Sequence, residues 1–337
     1  MARGWAMILE APGRPLRPGA FDPGEPGPGE VLIEVAACGV CRTDLHLVDG
    51  ELAPHHAPSV PGHEVVGRVL AAGAASGLAP GARVGVPWLG WTCGVCAFCR
   101  AGRENLCPDA RFTGWQIDGG YASLARADAR YCLPLPDACD DLHAAPLLCA
   151  GLIGHRALRK AGDPGRVALY GFGAAAHIVA QVALHEGRRV FALTRPGDVA
   201  SQEFARGLGV HWAGGSDEAP PEPFDAGIVF APDGALVPTA LARLMPAGRL
   251  VCAGIHMSDI PRFPYSLLWR EREIVSVANL TRQDGLSFMD LAPRAGVRIH
   301  ARPYPLAEAN RALDDLRHGR IDGAAVLVPG DGIMPGG

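Results

Sequence analysis

Hydrophobic positions in the first third of the chain fall in short runs, many β-branched, separated by glycine and proline. "VLIEVAACGV", "EVVGRVLAAG", "GARVGVPW" and "GYASLARADARYCLPLP" each predict strands. The segment 14–30, "RPLRPGAFDPGEPGPGE", is too dense in Pro and Gly for regular structure. The pattern changes near Ala144, where "APLLCAGLIGHRALRKAG" (145–162) predicts one bridging helix. Beyond it, strands and helices alternate: "RVALYGF", "AAAHIVAQVALHEG", "RRVFALT", "VASQEFARGLG", "FDAGIVFAP", "ALVPTALARLM", then "GRLVCAGI" and "REIVSVANL" as two further strands. Such alternation predicts an α/β fold with a doubly wound parallel sheet. "NRALDDLRHGRIDGAAVLV" predicts a helix and a strand that return to the first domain. The expected division is a β-rich domain over 1–150 and 288–337, with an α/β domain over 151–287 inserted.

The first strand–helix junction of the α/β part carries chemistry. "YGFGAAA" places Gly171, Gly173 and Ala176 as G-x-G-x-x-A. The first glycine permits a tight turn and the second lets the backbone approach a pyrophosphate. The third, small residue lets helix and strand pack closely, and the helix N-terminus faces the phosphates. A dinucleotide is the expected ligand.

Composition then narrows the partners. A net charge of −4 and no basic run argue against nucleic acid. No apolar run reaches membrane-spanning length, and "MARGWAMILEAPGRP" lacks a signal peptide's apolar core, so a cytoplasmic protein without a membrane partner is expected. Cysteines stay reduced in that compartment, so ten of them point to metal or catalysis rather than disulfides. Four of them, Cys93, Cys96, Cys99 and Cys107, follow C-x2-C-x2-C-x7-C and can wrap one tetrahedral ion. Four thiolates leave no open position, so a zinc there is structural; an iron–sulfur cluster uses similar spacing.

A second set is more dispersed. Cys41 in "ACGVCRTDLH" and His63 in "PGHEVVG" flank a strand-and-turn region, and Cys149 offers a third soft ligand. Two thiolates and an imidazole leave a fourth position for water or substrate, as in the alcohol dehydrogenase site that typifies Cys2His ligation.

With "GVCRTDLH", "PGHEVVG", the cysteine lobe, "CAGLIG" and "GFGAAA" in this order, the chain resembles a zinc-dependent alcohol dehydrogenase of the medium-chain dehydrogenase/reductase superfamily. The resemblance implies a GroES-like catalytic domain, a Rossmann cofactor domain, and two zincs per chain, one catalytic and one structural. It implies Cys41, His63 and Cys149 as catalytic zinc ligands, with Glu64 able to approach the metal. It also implies Asp44 as the carboxylate that orients His63, Thr43 as the hydroxyl that bonds the substrate, and His46 as the end of the proton relay. Arg42 and Arg282 resemble residues that contact cofactor phosphates. The substrate implied is a small alcohol, aldehyde or ketone, and the assembly a homodimer or homotetramer. Two other readings stay open: a non-catalytic dinucleotide-binding redox sensor, and a zinc-free quinone or enoyl reductase of the same fold.

Finer expectations concern pocket and cofactor. Trp88 resembles the indole that narrows the pocket of small-alcohol enzymes, and Leu52 stands where those relatives place a second bulky residue, so medium-chain or aromatic substrates are expected. After "RRVFALT" no carboxylate is placed for ribose hydroxyls. Thr194 and Arg195 stand there instead, a pairing suited to a 2′-phosphate, so NADP is expected over NAD.

Overall fold

The computed structural model describes residues 4–52, 55–135, 137–254, 257–321 and 323–330. The chain forms two compact units. The first comprises Met1–Cys149, Leu280–Pro293 and Arg298–Gly337; the second comprises Ala150–Asn279 and Arg294–Val297. The chain therefore returns to the first unit at Leu280, where the sequence pattern placed the junction at 288.

In the first unit the chain runs through β1 (Gly4–Ile8), β2 (Arg17–Phe21), β3 (Glu30–Val40), α1 (Arg42–Asp49), β4 (Val65–Ala72), β5 (Arg83–Val86), β6 (Leu89–Trp91), α2 (Ala97–Arg100), β7 (Arg111–Phe112), β8 (Leu124–Asp128), β9 (Leu133–Pro134) and α3 (Asp141–Ala144). β3 is the central strand. It pairs antiparallel with β4 along one edge, and with β8 beside its first half on the other. Its apolar side chains, with Trp5, Val65, Val84 and Tyr121, make the core of this unit. The segment expected to be irregular contains β2, which pairs with β1 as a two-stranded ribbon. A ribbon edge is where a strand tolerates a proline such as Pro18. A Cβ on Gly19 would stand 2.8 Å from Ile8 Cδ1, so the missing side chain lets the strands approach.

The helix expected over 145–162 is divided. A 3-10 turn, Ala145–Leu148, ends at Cys149, whose φ of −126° and ψ of −72° are not helical, and α4 (Ala150–Lys160) begins afresh.

The second unit continues as β10 (Arg166–Tyr170), α5 (Ala174–His185), β11 (Arg189–Thr194), α6 (Val199–Gly207), β12 (Trp212–Gly215), β13 (Phe224–Val229), α7 (Leu236–Ala242), β14 (Leu244–Cys252) and β15 (Glu273–Ser276). All pairings are parallel, in the order β12-β11-β10-β13-β14-β15. Numbered within the unit this is 3-2-1-4-5-6, the dinucleotide-binding order that reverses beside its first strand. Apolar residues run continuously along the inner strands because helices cover both faces of such a sheet. Tyr170, Phe191, Phe224 and Leu250 centre this core.

The chain then forms α8 (Arg282–Arg294), β16 (Ala301–Pro305), α9 (Ala309–Arg317) and β17 (Ala324–Val328). The sequence pattern left α8 unassigned. Thr281 and Asp284 start it as a capping pair: the Thr281 N–H donates to Asp284 Oδ2 at 2.8 Å, and the Asp284 N–H to Thr281 Oγ1 at 3.2 Å. Gly285 lets it lie against Leu133, whose Cδ1 would be 2.7 Å from an added Cβ.

Phe191 and Phe224 are fully buried with ring centroids 5.0 Å apart. Phe224→Ala should cost about 3–5 kcal/mol, read as a lower urea midpoint for the unfolding of the second unit.

Candidate active site

The site grows from the junction of β3 and α1. Cys41 occupies the N-cap of α1 in an extended conformation, φ −119° and ψ 163°. Asp44, three residues on and fully buried, accepts the Cys41 N–H on Oδ2 at 2.8 Å. Its other oxygen, Oδ1, lies 3.1 Å from His63 Nδ1. One carboxylate thus caps the helix and fixes the imidazole. His63 follows Gly62, whose φ of +98° only glycine adopts readily, and a Cβ there would stand 2.4 Å from Tyr121 Cδ1. With Nδ1 held by Asp44, His63 Nε2 is buried and has no hydrogen-bond partner among the described residues.

The break before α4 brings Cys149 Sγ to 3.7 Å from Cys41 Sγ. Cys41, His63, Glu64 and Cys149 each offer one ligand atom, all within 4.8 Å of one another. The thiol–thiol hydrogen bond holds the Cys41 pKa well below the usual thiol value against the opposing effect of burial, and Cys149 is pushed up in return. Burial raises the Glu64 pKa. Burial works against the His63 imidazolium, but the Asp44 charge and hydrogen bond, with Cys41, outweigh it and raise the pKa. Two sulfurs, one unpartnered imidazole nitrogen and a carboxylate suit zinc by donor chemistry.

Thr43 is buried, with Oγ1 at 3.9 Å from Cys41 Sγ. His46, one turn along α1, is held through Nδ1 by Glu51. Arg42 is exposed at the first position of α1. Leu52 is half-buried, with its N–H on the His46 carbonyl at 3.1 Å.

The four-cysteine lobe is self-contained. Cys93, Cys96, Cys99 and Cys107 place their sulfurs within 4.8 Å of one another. The Cys96 N–H donates to Cys93 Sγ and the Cys99 N–H to Cys96 Sγ, each at 3.4 Å. The N–H groups of Val95 and Cys96 bring the Cys93 pKa down to about 7, towards the thiolate a metal requires. Arg282 lies against this lobe. Its N–H donates to Glu104 Oε1 at 2.9 Å, and its guanidinium faces the same oxygen at 3.5 Å. The structure gives Arg282 a carboxylate partner in the first unit, with its guanidinium about half exposed.

In the second unit, Gly171 has φ +87°, and a Cβ there would stand 2.9 Å from the Ala231 nitrogen. Gly173, the N-cap of α5, has open space where a side chain would be and no side-chain cap. This is a cradle a phosphate can enter. Ala176 is fully buried. Thr194 is buried too, and its hydroxyl is already engaged: it donates to the Arg195 carbonyl at 3.0 Å and accepts from Gln202 Nε2 at 3.1 Å. Arg195 is exposed.

The profile of the alcohol dehydrogenase GroES-like domain matches residues 27–137. A probable alcohol dehydrogenase of Mycobacterium tuberculosis, AdhA, is 47% identical over 93% of this chain and 95% of its own length. This chain belongs to the zinc-type medium-chain alcohol dehydrogenases. Among solved structures, a cobalt- and zinc-bound thermostable alcohol dehydrogenase from Pyrobaculum aerophilum superposes with a TM-score of 0.88 at 27% identity, covering 97% of this chain and all of that one. Acetophenone reductase from Geotrichum candidum, solved in complex with NAD, gives 0.87 at 26% identity, covering 98% of each chain. The dehydrogenase interconverts alcohols and carbonyl compounds with a nicotinamide cofactor, and zinc is its metal.

Around Trp88 and His46 the structure places Phe112, Trp115, Gln116 and Glu51, which the sequence did not single out. Trp88 meets the His63 ring edge-on at 5.0 Å and stacks on Phe112 and Trp115, at 5.0 and 5.9 Å. Gln116 braces the far side: Oε1 accepts the Phe112 N–H at 2.9 Å, and Nε2 lies 3.1 Å from His55 Nε2. The hint in the sequence was "RFTGWQ", two aromatic rings either side of a glycine turn. Glu51, five residues after His46, carried no sequence signal at all. Among the described residues no helix is long and apolar enough to cross a membrane.

Asp44 couples helix and imidazole. Asp44→Ala should weaken zinc binding at the Cys41–His63–Cys149 set by roughly 10- to 100-fold, measured by chelator competition.

Proposed function

We propose that the dehydrogenase holds two zinc ions per chain and acts on aromatic or medium-chain alcohols, aldehydes and ketones, preferring NADP. The observation that carries the catalytic part is the buried, unpartnered Nε2 of His63 beside two thiols and a carboxylate. In this reading Cys41, His63 and Cys149 hold the catalytic ion, Glu64 stands by as a further donor, and the four-cysteine lobe holds a structural ion. Bound zinc would supply Lewis acidity, lowering the pKa of an alcohol or polarising a carbonyl.

The chain's own residues do the rest. Thr43 offers its hydroxyl to the substrate oxygen and takes up or returns the proton. His46 exchanges that proton with water. Glu51 holds Nδ1 of His46 and so fixes which ring nitrogen is exposed. The wall of Trp88, Phe112 and Trp115 keeps water from the reacting carbon and favours flat, apolar substrates, each ring contact worth about 0.5–1.5 kcal/mol. Leu52, where relatives are bulkier, leaves room. The ligand set weighs against a zinc-free reductase, and the Thr43 and His46 pair against a redox sensor.

On the cofactor side, Gly171, Gly173 and Ala176 form the pyrophosphate cradle, with Arg42 as a further phosphate contact. NADP preference rests on Arg195 alone, since the Thr194 hydroxyl is committed elsewhere. Asp217 and Glu218 lie by Gly215, next to the Arg195 turn, and oppose a phosphate, so the preference is modest. The outer edge of β15, with Tyr265 and Trp269 exposed at 72% and 61%, supports a homodimer joined through the second unit. Ten free cysteines suit a reducing, cytoplasmic setting.

The deciding assay compares benzyl alcohol, hexanol and ethanol with NADP and NAD. Benzyl alcohol or hexanol should exceed ethanol in kcat/KM, and NADP should exceed NAD. Arg195→Ala should lower the NADP/NAD ratio about tenfold, the loss of ~1.4 kcal/mol. A ratio that stays unchanged removes the role given to Arg195; a preference for ethanol removes the aromatic reading.

Elemental analysis should give two zincs per chain in the native protein. His63→Ala should lose one zinc and all turnover, remaining folded at a lower melting temperature because Asp44 Oδ1 loses its partner. Cys96→Ala should lose the other and lower the melting temperature, because closed zinc sites contribute folding energy. One zinc or none in active native protein would refute the two-site assignment.

A further inference from the structure

Gly39 sits inside β3, two residues before Cys41, where a glycine needs a reason. Its backbone supplies none, because its φ lies outside the left-handed region. Its neighbour across the sheet supplies one. The Gly39 N–H donates to the Glu64 carbonyl at 3.1 Å, and the adjoining pair, Cys38 and Val65, is in register. The Glu64 side chain folds back over the Gly39 Cα. A Cβ on Gly39 would stand 1.7 Å from Glu64 Oε2, 2.6 Å from Cδ and 3.0 Å from Cβ. The first two separations are impossible, and the overlapping atoms belong to a carboxylate that is 4% exposed and packed into the ligand set.

We propose that Gly39 is a positioning residue for Glu64: its missing side chain is the space that allows the carboxylate to reach the Cys41–His63–Cys149 set. The proposal rests on the reading of that set as a zinc site, and it extends that reading to a residue that touches neither metal nor substrate. Any side chain at position 39 would exclude the present carboxylate pose and push Glu64 off the set. Where Glu64 is absent, the same side chain would find room.

The test is a four-member cycle: native, Gly39→Ala, Glu64→Ala and the double variant. Three quantities are read: zinc content, the rate of zinc transfer to an excess of a chromogenic chelator, and the melting temperature. Gly39→Ala should speed zinc loss tenfold or more and lower the melting temperature in the native background. In the Glu64→Ala background it should change the rate less than twofold and leave the melting temperature within error. Equal effects in both backgrounds, or none in the native one, would overturn the proposal. Should Gly39→Ala alone be insoluble, a soluble double variant with the Glu64→Ala melting temperature supports it, and an insoluble double variant overturns it. If native protein carries zinc only in the cysteine lobe, the zinc reading of the set fails. The melting-temperature cycle then still decides whether Gly39 is there to make space for Glu64.

Discussion

The candidate site in the first unit depends on one buried carboxylate. Asp44 is fully enclosed, and a charge in that position is tolerated only when each oxygen has a partner. One oxygen receives the Cys41 N–H and the other holds His63 Nδ1. The start of α1 and the orientation of the imidazole are therefore a single arrangement. Removing a partner from such a buried pair costs about 3–5 kcal/mol, so neither can drift without the other. The cysteine lobe contrasts with it. Its sulfurs are fixed by N–H groups from the same short stretch and need no distant charge.

The two units prepare their sites by opposite means. In the first, buried polar side chains are brought together: Asp44 is partnered by the Cys41 N–H and His63 Nδ1, and His63 Nε2 is left without a partner beside the ligand set. In the second, side chains are withheld. Gly171 can lie against Ala231, and Gly173 leaves the start of α5 open, so backbone N–H groups there stay accessible to a ligand.

Much of this was legible in the sequence, and the reasons differ by element. Alternating apolar runs gave the parallel sheet because its inner strands are buried on both faces. The spacing of Cys93 to Cys107 revealed the lobe because local geometry alone gathers those sulfurs. What stayed hidden depended on partners far along the chain. β2 exists through its pairing with β1, which no local propensity reports. The helix over 145–162 breaks at Cys149, where the thiol meets Cys41. The Thr194 hydroxyl looked available until Gln202 was placed beside it. Glu51, Phe112 and Trp115 carry no spacing rule that ties them to His46 or Trp88.

The pairing of β17 with β3 sets an order of assembly. Leu327, Val326 and Ala325 lie beside Cys38, Gly39 and Val40, the strand that leads into Cys41. During synthesis from the N-terminus, that strand has nothing along this part of its edge until almost the whole chain has been made. The second unit, by contrast, is complete once Val297 has emerged. The second unit can therefore form while the strand that leads into Cys41 still waits for its last neighbour. Closing a contact of such long sequence separation costs loop entropy before any pairing repays it. The sheet that leads into Cys41 is therefore completed by one of the last pairings the chain makes.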